Sequence, residues 1–150
     1  MLRISQLMLG LLIAALCGCA ATDDLAHTTP IAPSNILETE LTIPRAGTAH
    51  LTLYRVPKVF FTHCDALVQV SFHSVPGGRI ADVAKLWPLD RLDIYLDPGY
   101  YRLDVFSSFC GNMPPVDVDV SLKAGDAATY RVFTDDSRLT ITPEPAAPLK

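Results

Sequence analysis

Any chemistry in this sequence starts with Cys64. It sits in His63-Cys64-Asp65, a thiol between an imidazole and a carboxylate, with His73 further along. Two roles fit those residue types: a thiol nucleophile activated by a base, or a metal held by sulfur and nitrogen. The spacing supports neither. Adjacent residues of an extended chain point to opposite faces, so His63 is badly placed to serve Cys64 as base. There is no CxxC, HExxH or His-x-His pair with metal-ligand spacing. GxSxG, Walker and GxGxxG motifs are missing too, and Gly77-Gly78 falls in a turn between strands rather than ahead of a helix. Asp90, Asp93, Asp97 and Asp104 suggest a calcium site or a glycosidase pair, but most are the polar half of a strand alternation. The sequence therefore nominates no catalytic residue, no metal site and no cofactor.

The start of the chain is more specific. Arg3 precedes an apolar run from Leu7 to Leu16, then small residues and Cys19. The run is shorter than the roughly 20 residues a bilayer span needs, which suits an export signal. Leu16-Cys17-Gly18-Cys19 resembles the lipobox of bacterial lipoproteins, with Cys17 where a small residue is usual. The resemblance implies cleavage before Cys19, which would then carry the acyl chains. Ala20 stands where an inner-membrane retention signal places Asp, and that implies the outer membrane, facing the periplasm. The resemblance thus implies the membrane as a partner, reached through the N-terminal acyl chains. Loss of Arg3 takes the net charge from −4 to −5; an acidic domain without a basic stripe argues against nucleic acid.

With Cys17 cleaved away and Cys19 acylated, Cys64 and Cys110 remain, and an oxidising compartment reads them as one disulfide. That bond gathers Phe60 and Phe61 with Phe106 and Phe109. The cluster is either a small core on the cystine or a partner patch, which Tyr95 and Tyr100 extend. His27, His50 and His73 read as solvated.

Alternation places the elements that hold these residues. Residues 20–35 lack a hydrophobic period and read as a flexible tether spanning roughly 20–25 Å. Leu37–Ile43 is predicted as the first strand. Ala49–Val56, Leu67–Ser74, Arg79–Leu86, Val116–Leu122, Ala127–Thr134 and Arg138–Thr142 follow the same period. Between them lies LDIYLDPGYYRLDVF, Leu92–Phe106, two half-buried strands about a Pro98-Gly99 corner at which Gly99 is free to take a positive φ. Twelve prolines and eight glycines suit a turn-rich all-β chain. The fold expected is a seven- to eight-stranded antiparallel β-sandwich over 37–142, after a signal peptide (1–18) and tether (19–36), with a frayed tail (143–150).

LDPGYYRLDV resembles the LPPGxYxLxV signature of carboxypeptidase-regulatory-like, transthyretin-type sandwiches. Tyr54-Arg55, the Lys123–Asp126 turn and Tyr130-Arg131 are similar to a pattern of small bacterial lipoproteins of uncharacterised function. The resemblance implies a fold and brings no catalytic residue. The functional expectation is an outer-membrane lipoprotein whose periplasmic sandwich is a non-catalytic module that binds an envelope protein or serves structurally. The alternatives are a ligand module for peptidoglycan, a glycan or a small molecule through Tyr95, Tyr100 and Trp87, and a thiol enzyme using Cys64.

Overall fold

The computed structural model describes residues 24–56, 66–72, 78–107, 113–134 and 138–144. Their strands are β1 (Thr29–Pro30), β2 (Ala49–Val56), β3 (Ala66–Phe72), β4 (Arg79–Leu86), β5 (Asp90–Leu96), β6 (Gly99–Ser107), β7 (Val116–Leu122), β8 (Ala127–Thr134) and β9 (Leu139–Glu144). Two sheets result, ordered β1-β5-β2-β8-β9 and β4-β3-β6-β7. Leu51, Leu53, Leu92, Ile94 and Leu96 of the first sheet share one core with Val68, Val83, Leu86, Leu103 and Val105 of the second. The chain is an all-β sandwich. Every second residue of β5 and β6 is buried, as the alternation of Leu92, Ile94 and Leu96, then Tyr101, Leu103 and Val105, requires.

The Pro98-Gly99 corner joins those two strands without pairing them. β5 lies against β2 in one sheet, and β6 lies between β3 and β7 in the other. Alternation is the same for a hairpin and for such a crossing, because either way every second side chain enters the core. Gly99 does not take a positive φ; it opens β6 opposite Leu122. The Tyr101 hydroxyl closes the corner by donating to the Asp97 carbonyl. The Lys123–Asp126 turn makes a second crossing, from β7 to β8. There Gly125 does adopt φ +79°, and the Lys123 amide donates to Asp126 Oδ2 at 2.8 Å.

The five-stranded sheet is mixed, which corrects the expectation of antiparallel pairing throughout. β2 runs parallel to β8 from His50↔Ala127 to Val56↔Phe133. These strands reach each other through the second sheet, and such a long connection does not impose the antiparallel direction that a tight hairpin does.

The stretch expected as a tether is largely part of the domain. β1 pairs in parallel with the start of β5, at Asp90 and Arg91. Ile31 enters the core at 8% exposure. Leu37 and Glu38 donate amides to the Val83 carbonyl, and Ile36 bridges Ala84 on β4. Leu37–Ile43 is accordingly not a strand: Thr39–Thr42 forms a 3-10 turn packed near β5. Ile36 and Leu41 pack on the core while Leu37 and Ile43 are exposed, an inward spacing of five that no strand period produces. Residues 24–43 form a strap along one open side of the sandwich, covering the β5 edge of one sheet and the β4 edge of the other. Unpaired edges invite association, so a cover over them has a clear physical role. At the other end of the chain β9 runs to Glu144, two residues past the predicted limit.

Strand directions put the ends of β2, β4, β6 and β8 and the starts of β3, β5, β7 and β9 at one end of the sandwich, together with the 87–89 turn and the arrival of the strap. The 97–98 corner and the 123–126 turn lie at the other.

Candidate functional site

Outward-facing positions on the five-stranded sheet carry the densest polar and aromatic set. β2 contributes His50, Thr52 and Tyr54; β5 contributes Tyr95, Asp93 and Arg91; β8 contributes Ala127, Thr129 and Arg131. Pairing register lines them up as Tyr95–His50–Ala127, Asp93–Thr52–Thr129 and Arg91–Tyr54–Arg131. The His50 ring stacks on Tyr95 with centroids 4.7 Å apart and planes inclined by 10°. Asp93 Oδ1 accepts from His50 Nε2 at 2.9 Å and from the Thr52 hydroxyl at 2.8 Å. Arg91 Nε donates to Asp93 Oδ2 at 3.2 Å. A carboxylate only accepts, so the His50 proton in this contact is on Nε2. His50 is therefore not simply solvated, as its outward parity alone suggests.

His, Asp and a hydroxyl together raise the question of a nucleophilic triad. The geometry answers against it. In a triad the imidazole lies between carboxylate and hydroxyl, using one nitrogen for each. Here Nε2 faces both groups, and the Thr52 hydroxyl gives its proton to Asp93 rather than to the ring. The arrangement suits recognition. Asp93 fixes the imidazole, the stack fixes its plane, and Ala127 across the strand is too small to cover it.

The two Tyr-Arg pairs point in opposite senses. In β2, Tyr54 stands on the outward parity, though covered to 3% exposure, and Arg55 points inward; in β8, Tyr130 stands on the inward parity and Arg131 on the outward one. Parallel register sets Tyr54 beside Arg131, whose Nε approaches Glu144 Oε1 at 3.2 Å. Arg55 is 1% exposed, and its Nη1 donates to the Leu86 carbonyl at 2.8 Å. Its own carbonyl accepts the Leu89 amide. Asp90 lies within reach of this charge. Burial pushes its carboxyl above the ordinary value, while the Trp87 amide and the Arg55 charge act in the opposite direction.

Of the residues foreseen as one aromatic patch, the three described ones, Tyr95, Tyr100 and Phe106, do not share one surface. Tyr95 faces outward on the five-stranded sheet. Tyr100 and Phe106 face outward on the four-stranded one, where Phe106 lies across from Leu67. Six residue steps along β6 separate that pair, about 20 Å along a strand. Tyr100 is 70% exposed beside an open depression of about 470 Å³ lined by Tyr101, Asp119, Val120 and Ser121. Next to it Arg102 bonds Asp104 at 3.1 Å and Asp117 at 2.9 Å. Trp87 is on the turn between β4 and β5. Phe60, Phe61, Cys64, His73, Phe109, Cys110 and Cys19 lie outside the described residues. Among the described residues no group of three His, Cys, Asp or Glu side chains is arranged to hold a metal ion. Thr52 and Arg91 escaped the sequence reading, and Asp93 entered it only as a calcium or glycosidase candidate, because alternation shows parity but not which strand lies alongside.

No protein-family model matches the chain, and no curated protein matches it. Among solved structures it is similar to a protein from Eubacterium rectale determined by NMR, at 14% sequence identity and a TM-score of 0.40, over 69% of this chain and 94% of that one. A likeness at that level carries no argument about function.

Proposed function

We propose that the chain is an outer-membrane lipoprotein, acylated at Cys19, whose periplasmic sandwich binds another envelope protein without catalysis of its own. What carries this reading is the strap. Residues 24–43 are bound along the side of the sandwich, so the anchor's route ends in a fixed place. The His50–Tyr95 stack lies about 17 Å up β5 from the Asp90 end, toward the opposite connections. A preformed polar face held away from the attachment point suits presentation to a partner. The test is a photo-crosslinking side chain at Tyr95 in cells, with Asp82 of the other sheet as control. A discrete product from Tyr95 only, lost in His50→Ala, supports the reading; no product, or equal products from both positions, rejects it.

The ligand-module reading is favoured by the same stack, because an ordered ring pair open toward Ala127 is a platform for a sugar ring or planar group. A melting point raised by cell-wall fragments in the wild type and not in Tyr95→Ala would select it. A Cys64–Cys110 disulfide is part of the proposal. Ala66 and Ser107 are cross-strand partners at the start of β3 and the end of β6; in sequence Cys64 comes two residues before the one and Cys110 three after the other.

A further inference from the structure

The strap reaches the sandwich beside a turn that is built oddly for a solvent-facing loop. Trp87 and Leu89 are 38% and 42% exposed, with Pro88 between them. Leu89 holds φ +71°, the one positive value among the described non-glycine residues. Asn or Gly would take that backbone at lower cost, so a leucine there retains an exposed apolar side chain against a conformational penalty. The turn is also rigid. The Asp90 amide donates to the Trp87 carbonyl at 3.0 Å, and the Trp87 amide to Asp90 Oδ2 at 2.8 Å. The Leu89 amide bonds the Arg55 carbonyl at 3.0 Å. The Leu89 carbonyl accepts the Thr29 amide at 2.9 Å. The exposed turn and the incoming chain are thus bonded to each other.

We infer that the Trp87–Leu89 turn rests in the headgroup region of the membrane that carries the anchor. This deepens the lipoprotein reading and rests on it. Only five steps of chain separate Asp24 from Cys19, at most about 18 Å fully extended. An acylated Cys19 therefore keeps this end of the sandwich near the bilayer. Tryptophan and leucine favour the interface, tryptophan with its ring among the headgroups. Two side chains bind a membrane weakly by themselves. Held by the anchor, they face lipid at a high effective concentration, and the weak contact then selects one orientation. The domain is acidic, so apolar contact rather than charge attraction drives the docking.

Trp87 is the only tryptophan of the chain and reports its own surroundings. The full-length protein, expressed with its leader, is reconstituted into vesicles of phosphatidylethanolamine and phosphatidylglycerol, with or without phosphatidylcholine brominated near the headgroup. Mass spectrometry of the same sample reads the acylation of Cys19. Docking predicts blue-shifted emission, about half of it lost with brominated lipid, and a loss about twofold smaller in Leu89→Asn. That variant suits the left-handed backbone, and an unchanged or raised melting point shows that it folds. Acylated protein whose Trp87 is not quenched by brominated lipid overturns the docking and leaves the lipoprotein reading standing. A blue shift without quenching has the same meaning, with protein covering the turn. An unacylated Cys19 overturns both.

Discussion

Replacing Ile31 with alanine tests whether residues 24–43 belong to the domain. Ile31 is 8% exposed and packs among core residues, with its amide bonded to the Arg91 carbonyl at 2.9 Å. The change removes three carbons, about 2.4 kcal/mol at roughly 0.8 kcal/mol each. A cavity adds to this where neighbours cannot relax, and burial of a large aliphatic cut to alanine costs 2–5 kcal/mol in general. Ile31 is at the rim and the strap is free to shift, so the low end applies: about 2–3 kcal/mol. Strap release then becomes roughly 30- to 150-fold more favourable. Urea unfolding of a soluble form lacking Cys19 reads the global loss. Amide exchange reads the local one, at Thr29, Ile31 and Leu37, whose partners are the carbonyls of Leu89, Arg91 and Val83. The three should accelerate together, because one strap carries them. A loss under about 0.5 kcal/mol with exchange already fast in the wild type would show a loose tether and refute the reasoning.

Asp90 gives a pH dependence with a definite sign. Its folded pKa is raised above the ordinary 3.8, so the native state holds the proton more tightly and stability falls as pH rises from about that value through the raised one. Asp90→Asn, which keeps an acceptor for the Trp87 amide, should flatten that fall in pH-dependent urea titrations. For the cysteines, alkylation and mass spectrometry of the exported domain should find no free thiol. Cys64→Ser with Cys110→Ser should cost about 4 kcal/mol, the chain-entropy value for a closed loop of about 46 residues. Gly125→Ala meets open space but keeps φ +79°, so it should lose about 1 kcal/mol through backbone strain alone, read as a lower melting point.

Much of the sandwich was legible without coordinates. Leu92, Ile94 and Leu96, then Tyr101, Leu103 and Val105, face the core as their period demands, because a pleated strand with one buried side leaves that mark in its composition. Trp87-Pro88 ended β4 where proline requires it. Strand neighbours were not legible. Nothing local tells β5 to lie beside β2 instead of β6, so the meeting of His50 with Tyr95 and Asp93 was hidden, and Tyr95 was grouped with Tyr100 and Phe106, which stand on the other sheet. The strap was hidden for a related reason. Residues 24–43 use single anchors, Ile31, Ile36 and Leu41, set into an edge, and irregular spacing has no period to detect.

Alone, the sequence determined the fold class, the parity of most strands and the resemblance of its leader to a lipoprotein signal, since each is written in neighbouring residues. Tertiary structure decided which strands pair, which faces the polar groups share, and where the chain first joins the domain. Those are contacts between residues far apart in the chain, and their free energy belongs to the assembled sandwich rather than to any stretch of it.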